Sequence, residues 1–182
     1  MNMQEIIEIK KIEMADVIEM FEDHLTKFRT GRASGIILNS VVVDYYGTPT
    51  PIKHLASITS PEAQQLVVTP YDRSLVAPVA AAINKSNLGV TVSNEGGLVR
   101  VKVPALTTET RQQIVKEIKK DTENYRVKIR NLRRDANSEI KAAGQNEDWE
   151  RDVMEIVDKL TKEFIESIDK ISAEKEKEVM SI

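Results

Sequence analysis

The chain has 182 residues, no cysteine, 4% aromatic residues and a formal net charge of −3 at pH 7. The missing thiols exclude disulfides, thiolate zinc sites, iron–sulfur clusters and cysteine nucleophiles. Few aromatic side chains leave little surface for stacking nucleic-acid bases. No run approaches the ~20 apolar residues that cross a bilayer, and the N-terminus lacks a signal-peptide core, so we expect a cytoplasmic protein.

Three long segments have the apolar periodicity of amphipathic helices. The first covers residues 3–29 and is followed by a Thr-Gly-Arg stop. At 1.5 Å per residue it makes a rod of roughly 40 Å, which cannot bury its apolar stripe without partner helices. The second is predicted to begin with Thr107 as its N-cap and to stop at Gly144, and the third to begin with Asn146 as its N-cap. Together they predict a three-helix bundle.

The apolar stripes of these helices predict the core of the bundle. In the first helix the repeating positions place Lys11 in the stripe, beside a Lys10–Lys11 pair that dilutes it. The remaining predicted positions are Ile7, Met14, Ile18, Phe21, Leu25 and Phe28 in the first helix; Ile114, Ile118, Thr122, Tyr125, Ile129, Leu132, Ala136, Ile140 and Ala143 in the second; and Trp149, Val153, Ile156, Leu160, Phe164, Ile168, Ile171, Lys175 and Val179 in the third.

The segment between the first and second helices has a different composition. Residues 33–104 hold all six prolines and most of the glycines. SVVVDYYG and QQLVVTPY are typical of strands, and Asp72-Arg73-Ser74 can cap a short helix. Residues 90–103 predict a hairpin that turns at the Asn-Glu-Gly-Gly sequence. Its valines alternate with Arg100 and Lys102, which predicts one buried face and one exposed face.

These patterns predict an α+β protein with two domains. Residues 1–30 and 105–182 form a long three-helix bundle, and residues 31–104 form an inserted small β/α/β sandwich domain. The chain crosses between them twice, near 31–34 and near 103–105, which permits hinge motion about a defined axis. A rigid packed pair of domains is the alternative. The predicted hinge residues are Gly31, Arg32, Ala33, Ser34, Pro104 and Ala105.

The charge is distributed unevenly along the chain. Residues 105–146 carry ten Lys or Arg and six Asp or Glu, a net charge of +4, whereas residues 147–182 carry six and twelve, a net charge of −6. In a helix, seven cations of the second segment fall within an arc of about 100°. We call this set the basic ridge: Lys116, Lys119, Arg126, Arg130, Arg133, Arg134 and Lys141.

The basic ridge has two interpretations. It can be a solvated face that forms salt bridges to the acidic helices, each worth about 0–1 kcal/mol. It can also follow the phosphates of a nucleic acid, because the planar guanidinium group donates two hydrogen bonds at once. The acidic remainder of the chain disfavours loose nucleic-acid binding and favours docking of one basic edge at a defined place. A second cationic group, Lys27, Arg29 and Arg32, follows the first helix, where cations also suit the helix C-terminus.

Nothing in the sequence indicates a catalytic site. The two histidines, His24 and His54, stand alone, and no zinc-protease or phosphate-loop motif is present. Ser74 is better explained as a helix cap than as a nucleophile. We therefore predict no enzymatic activity, no cofactor and no metal site. An enzyme with an unusual carboxylate site remains an alternative, and it would need a deep pocket with perturbed acids.

Several stretches together resemble the bacterial ribosome recycling factor family over nearly the whole chain. They are FRTGRAS, VDYYGTPTPIKHLASI, YDRS, SNLG, VRVKVPALTTETR, VKIRNLRRDAN and DKLTKEFIESIDKISAEKEKEVM. The resemblance implies an L-shaped protein whose long arm is the bundle. It also implies a translation factor that binds the large ribosomal subunit and its RNA after termination. With elongation factor G and GTP hydrolysis by that partner, it would split the subunits.

The resemblance also implies site residues. The family's critical arginine falls on Arg133, with Arg130 and Arg29 as further RNA contacts and Arg134 and Arg32 as weaker matches. It implies no cofactor of the chain's own, and we expect a monomer that does not bind membranes. The alternative is a helical-bundle scaffold for protein interactions without RNA binding. Salt distinguishes the two, because RNA docking weakens steeply as salt rises and an apolar interface does not.

Overall fold

A computed structural model of the chain describes residues 2–181. The residues up to Phe28 and Glu109–Ser181 form one compact unit, and Arg29–Thr108 form the other. In chain order the elements are α1 (Met3–Leu25), β1 (Val42–Tyr45), β2 (Thr48–Pro51), β3 (Ala56–Glu62), β4 (Gln65–Pro70), α2 (Val76–Lys85), β5 (Thr91–Glu95), β6 (Leu98–Lys102), α3 (Thr108–Ala142) and α4 (Glu147–Met180). Short 3-10 turns occur at Gly35–Leu38, Ile52–His54 and Arg73–Leu75.

Helix α1 begins as predicted but ends earlier. Asn2 and Glu5 form a reciprocal capping box, in which each side chain accepts a 2.9 Å hydrogen bond from the other residue's backbone N–H. The prediction that α1 continues to residue 29 is wrong, because it ends at Leu25. The Thr26 hydroxyl donates a 2.6 Å hydrogen bond to the Asp23 carbonyl, and the next N–H groups bond three residues back. This tightened turn satisfies the last carbonyls and ends the helix.

The other two long helices have the predicted ends. Helix α3 begins at Thr108, directly after Thr107, and Gly144 adopts a left-handed φ of 62° after its last turn. Helix α4 begins at Glu147, and the side chain of Asn146 accepts a 2.9 Å hydrogen bond from the Trp149 N–H. The caps therefore fix both ends of the connection between α3 and α4.

The bundle core contains two clusters of buried side chains. In the larger one, Phe21 of α1 meets Ile129 of α3 and Ile168 of α4, and all three are fully buried. In the smaller one, Ile6 packs with Ile140 and Val157. Burying each such side chain stabilises the fold by about 1.5–3 kcal/mol. These contacts confirm the predicted three-helix packing.

Two predicted core positions are wrong. Lys11 is exposed, and Lys10 is buried instead, because the buried stripe of α1 runs from Ile6 to Met14 in two steps of four residues, whereas the predicted stripe reached Met14 from Ile7 by a step of four and a step of three. Ile156 is 37% exposed, and Val157 takes the core position. Farther along α4 the core side includes the hydroxyl residues Thr161 and Ser172. Ser172 shares a 2.8 Å hydrogen bond with buried Thr122 of α3.

The small unit contains an antiparallel four-stranded sheet in the order β3-β4-β6-β5 and a separate hairpin of β1 and β2. The predicted hairpin of β5 and β6 is confirmed, with Val99, Val101 and Val103 buried and Lys102 exposed. Helix α2 buries Val79 and Ile83 in the same core as the sheet. The sequence did not predict β3, an edge strand that pairs with β4.

None of the described helices is a candidate membrane span. Across residues 2–181, no helix is both long and apolar enough to cross a bilayer.

Candidate nucleic-acid interface

The basic ridge lies along the side of α3 that adjoins α4. Helix α3 is continuous over 35 residues, so all seven ridge cations lie on one rod. Arg126 donates from Nε to Asp169 of α4 over 2.7 Å, and Arg133 donates from Nη1 to Asp158 of α4 over 3.2 Å. The sequence spacings of these two pairs show that α3 and α4 run antiparallel along the ridge.

Arg126 is the most constrained member of the basic ridge. Its guanidinium group forms ion pairs with Glu123 at 2.9 Å and with Asp169 at 2.6 Å, and its side chain is 30% exposed. Hydrogen bonds to these two carboxylates raise the pKa of Arg126 above its ordinary value. Two carboxylates from two helices leave this guanidinium little freedom for a ligand. For Arg126, the interpretation as a salt bridge to the flanking helix is correct.

Arg130 and Arg133 are held more loosely. Arg130 donates from Nη1 to Glu123 over 2.8 Å with 44% of its side chain exposed. Arg133 donates from Nη1 to Asp158, and its side chain is 40% exposed. Exposed pairs of this kind are worth only about 0.2–1 kcal/mol. The Nε of Arg133 is buried and has no hydrogen-bond partner among the described residues. Both guanidinium groups therefore keep donors for an incoming acceptor.

The remaining ridge cations project from α3 as exposed side chains. Within residues 2–181 they form no ion pair, and they line the same rod above and below the two loosely held arginines. This group is Lys116, Lys119, Arg134 and Lys141.

A carboxylate lies inside the ridge itself. Glu123 accepts hydrogen bonds from Arg126 at 2.9 Å and from Arg130 at 2.8 Å. These bonds lower the pKa of Glu123 below its ordinary value, with the bond from Arg126 as the largest cause. Glu123 thus competes for the cations of this face, a role that a count of charges along the sequence does not indicate.

An open groove of about 450 Å³ lies beside the ridge, between α3 and α4. Helix α3 contributes Arg130 and Arg133 to its lining, and α4 contributes Asp158, Lys162, Ile165 and Glu166. Lys162 could not be predicted from the sequence, because it lies on the most acidic helix and only the packing of α4 against α3 brings it into the same groove as Arg130. The groove thus joins cations from two helices.

Arg29 and Arg32 lie in the segment that follows α1. Both side chains are exposed, and neither forms an ion pair with another residue between 2 and 181. They belong to the compact unit Arg29–Thr108, whereas Arg130, Arg133 and Arg134 lie within two turns of α3 in the other unit. The structure therefore brings together three of the five arginines named from the sequence.

The histidines have structural explanations. The His24 Nε2 lies 2.7 Å from Asp121 Oδ2 on α3, and the ring contacts those of Phe28 and Tyr125. His54 is exposed in a short turn. Between residues 2 and 181, no three His, Asp or Glu side chains are arranged to hold a metal ion. These contacts give no support to the carboxylate-enzyme alternative.

Comparisons with known proteins identify the family. The family model described as "Ribosome recycling factor" matches residues 21–180. A ribosome-recycling factor from Geobacillus sp. (strain WCH70) is 46% identical over 98% of this chain and 99% of its own length. Its counterpart from Staphylococcus saprophyticus is 44% identical over 99% of this chain and 100% of its own length.

Solved structures agree with that match. A solution structure of the ribosome recycling factor has a TM-score of 0.77 and 34% identity, and covers 100% of this chain and 99% of its own. A second is described as models for the T. thermophilus ribosome recycling factor and the E. coli elongation factor G bound to the E. coli post-termination complex. It has a TM-score of 0.64 and 32% identity, and covers 100% of both chains. The chain belongs to the ribosome recycling factor family.

Proposed function

We propose that this chain is a translation factor that binds the post-termination ribosome and, with elongation factor G and GTP hydrolysis by that partner, separates the subunits. Membership of the family supports this function. The similar structure described with elongation factor G on the post-termination complex supports the same partners for this chain. The chain would act mechanically in the cytoplasm as a monomer, without a catalytic site, cofactor or metal of its own.

The RNA-binding surface is the basic ridge. Arg133 and Arg130 make the main contacts with ribosomal RNA of the large subunit, and Arg134 adds a further charge from the same helix. The observation that carries this assignment is the loose pairing of Arg130 and Arg133, with one carboxylate each and about 40% of each side chain exposed. A phosphate can replace such partners at small cost, because exposed ion pairs contribute so little. Arg29 and Arg32 add contacts from the segment after α1.

The small domain transmits the action of elongation factor G. Residues 1–30 and 105–182 form the RNA-docking bundle, and residues 31–104 form the domain on which the partner pushes. Motion between them would occur at residues 31–34 and 103–105, that is at Gly31, Arg32, Ala33, Ser34, Pro104 and Ala105. Gly31 supports a turn at the first crossing, because its φ of 83° is one that residues with a side chain rarely adopt.

A splitting assay tests the function directly. Purified polysomes are incubated with elongation factor G and GTP, with and without this chain, and the free subunits are measured by sedimentation. We expect free subunits to accumulate only when all components are present. If the chain adds nothing to the yield of elongation factor G and GTP alone, the proposed function is wrong.

Arg133→Ala tests the RNA surface. We expect it to cost roughly 1–3 kcal/mol of binding to large subunits, as for a charge-assisted hydrogen bond, with unchanged thermal stability. Arg151→Ala is the matched control, because Arg151 is a 70% exposed arginine of α4 whose ion pairs, among the described residues, are with the neighbouring acids Asp148 and Asp152 of its own helix. If the two variants bind large subunits with equal affinity, Arg133 is not part of the RNA interface.

One observation favours the scaffold alternative. Ile9, Ile12 and Met20 are 42%, 55% and 52% exposed on α1 and could meet another protein. An interface built on them would bury apolar surface, and its affinity would depend weakly on salt. Binding to large subunits that persists undiminished at high salt would favour this alternative over RNA docking.

A further inference from the structure

The groove between α3 and α4 combines cations from both helices with carboxylates that partly occupy them. Arg130 and Arg133 approach from α3, and Lys162 approaches from α4. Lys162 is exposed and forms no ion pair within the described part of the chain. Asp158 and Glu166 line the same groove. The groove therefore brings together three cations and two carboxylates.

The pairing of Arg133 is incomplete. Its contact with Asp158, at 3.2 Å, is the longest ion pair made by a ridge arginine, and the Asp158 side chain is 54% exposed. Its Nε is buried and has no acceptor among residues 2–181, a state that is rare in proteins. A guanidinium with one long ion pair and a 40% exposed side chain suits an acceptor with several oxygens, and a phosphate offers the matching geometry.

The net charge of the groove indicates which kind of ligand it can bind. Three cations against two carboxylates leave the groove too weakly positive to hold a small free anion against water. A polyanion already held by the exposed cations along α3 would bring a phosphate to the groove at a high local concentration. Those outer cations are Lys116, Lys119, Arg134 and Lys141, and they extend along roughly 38 Å of helix. A nucleic-acid strand fits this arrangement, because its phosphates repeat along its length.

We propose that the groove between α3 and α4 takes a phosphate of the RNA, held by Arg130, Arg133 and Lys162, and that Asp158 and Glu123 occupy the two guanidinium groups until the phosphate displaces them. The inference rests on the proposed function and deepens it. Lys162 is then a further RNA-binding residue, contributed by the acidic helix.

The displacement of carboxylates is tested by removing their charge. The full-length variants Asp158→Asn and Glu123→Gln are titrated against purified large subunits over a series of salt concentrations. Each should bind about two- to five-fold more tightly than the unsubstituted chain, because a competing surface ion pair has been removed. Glu155→Gln is the control, since it removes the same charge from α4 at a carboxylate that pairs with Lys159 outside the groove. If all three variants gain equally, only net charge matters and the displacement is refuted.

Lys162→Gln tests the contribution of α4. We expect weaker binding and a shallower dependence of log K on log salt, with the slope reduced by about one. Lys159→Gln removes the same charge three residues earlier on the same helix, from a side chain that is 71% exposed and lies outside the groove. The assignment of Lys162 fails if the two lysine variants have the same affinity and slope.

The outcomes separate this inference from the proposed function. If the unsubstituted chain does not bind large subunits, the proposed function itself fails. If it binds and Arg133→Ala weakens it, but Asp158→Asn and Lys162→Gln behave like their controls, only the groove assignment fails. An RNA oligonucleotide should compete for the chain more strongly than polyglutamate of equal charge. Equal competition would indicate an acidic protein segment instead of RNA.

Discussion

The ammonium group of Lys10 donates a 2.8 Å hydrogen bond to Glu139 on α3 from a side chain that is only 4% exposed. It donates a second, of 2.9 Å, to Glu13 on its own helix. Burial alone would lower the pKa of Lys10, but the hydrogen bonds to both carboxylates outweigh it, and the pKa is raised above its ordinary value of 10.5. The cation is buried, whereas its partners are about 40% exposed and remain in contact with water.

This asymmetry predicts unequal effects of mutation on the two sides of the pair. The double variant Glu13→Gln/Glu139→Gln should lose about 2–3 kcal/mol of stability, because it leaves a buried ammonium without a counter-charge. Lys10→Met should stay within about 1 kcal/mol of the unsubstituted chain, since the thioether fills the same space and the carboxylates face water. Urea unfolding followed by Trp149 fluorescence reports on the bundle, where Trp149 packs against the smaller core cluster. Equal losses in both variants would contradict this account.

The two ion pairs of Lys10 also make the stability of the bundle sensitive to alkaline pH. A pKa that is higher in the folded chain than in the unfolded chain contributes stability that is complete below about 10.5 and is lost as pH rises through the folded value. We therefore expect stability attributable to this pair to be constant from neutral pH to about pH 10 and to fall above it. Urea midpoints measured across this range should decline less in Lys10→Met. Parallel declines in the two proteins would assign the alkaline loss to other groups.

The lowered pKa of Glu123 predicts a loss of stability at acidic pH instead of alkaline pH. Hydrogen bonds from Arg126 and then Arg130 lower its pKa below the ordinary 4.5, so its contribution is complete above that pH and is lost as pH falls through the folded value. Carboxyl NMR of the free chain should place the Glu123 midpoint below 4.5. Arg126→Gln should move that midpoint upward, and Arg151→Gln should leave it in place. A midpoint insensitive to Arg126→Gln would show that the ion pair does not persist in solution.

The turn between β1 and β2 is predicted to be strained at Tyr46. Tyr46 has a φ of 50° and Gly47 a φ of 82°, and a bulky residue rarely adopts the left-handed conformation. Because asparagine tolerates that conformation better, Tyr46→Asn should stabilise the hairpin by about 0.5–1 kcal/mol. Amide hydrogen exchange at Val43 and Thr50, which pair across the hairpin, would measure the change. Tyr71→Asn, at a side chain that is 75% exposed, is the control and should leave these amides unaffected.

Much of the fold could be predicted because short-range rules decide it. Asn146 and Gly144 mark helix ends through their own backbone and side-chain chemistry, and both prove to be where the helices start and stop. The alternation of Val99 and Val101 with Arg100 likewise defines one buried face. Such signals depend on neighbours within a few residues, so the sequence contains all the information they need.

The errors arise where distant residues decide the outcome. Strand β3 has only one large apolar residue, Ile58, and contains Pro61 among small polar residues, so its composition is typical of a turn; it forms because β4 offers a partner. The burial of Lys10 is tolerated because Glu139, 129 positions away on α3, accepts a hydrogen bond from its ammonium group. The arc of the basic ridge follows from helical geometry alone, but the pairing of Arg126 and Arg133 depends on carboxylates of α4. Asp158 and Asp169 lie 25 and 43 positions from their partners in sequence, beyond the reach of local patterns.

The shared hydrogen bond between Thr122 and Ser172 has a mechanical consequence. Both hydroxyl groups are buried between α3 and α4, and Thr122 also donates to the Ile118 carbonyl. Sliding one helix past the other by a turn, about 5.4 Å, would break this hydrogen bond inside the core. Thr122 would keep its bond to Ile118, but the buried Ser172 hydroxyl would lose its partner on α3, at a cost of about 1–3 kcal/mol. Shear along this seam is thus opposed where Thr122 and Ser172 meet, and part of a load applied to one helix would pass to the other through this contact.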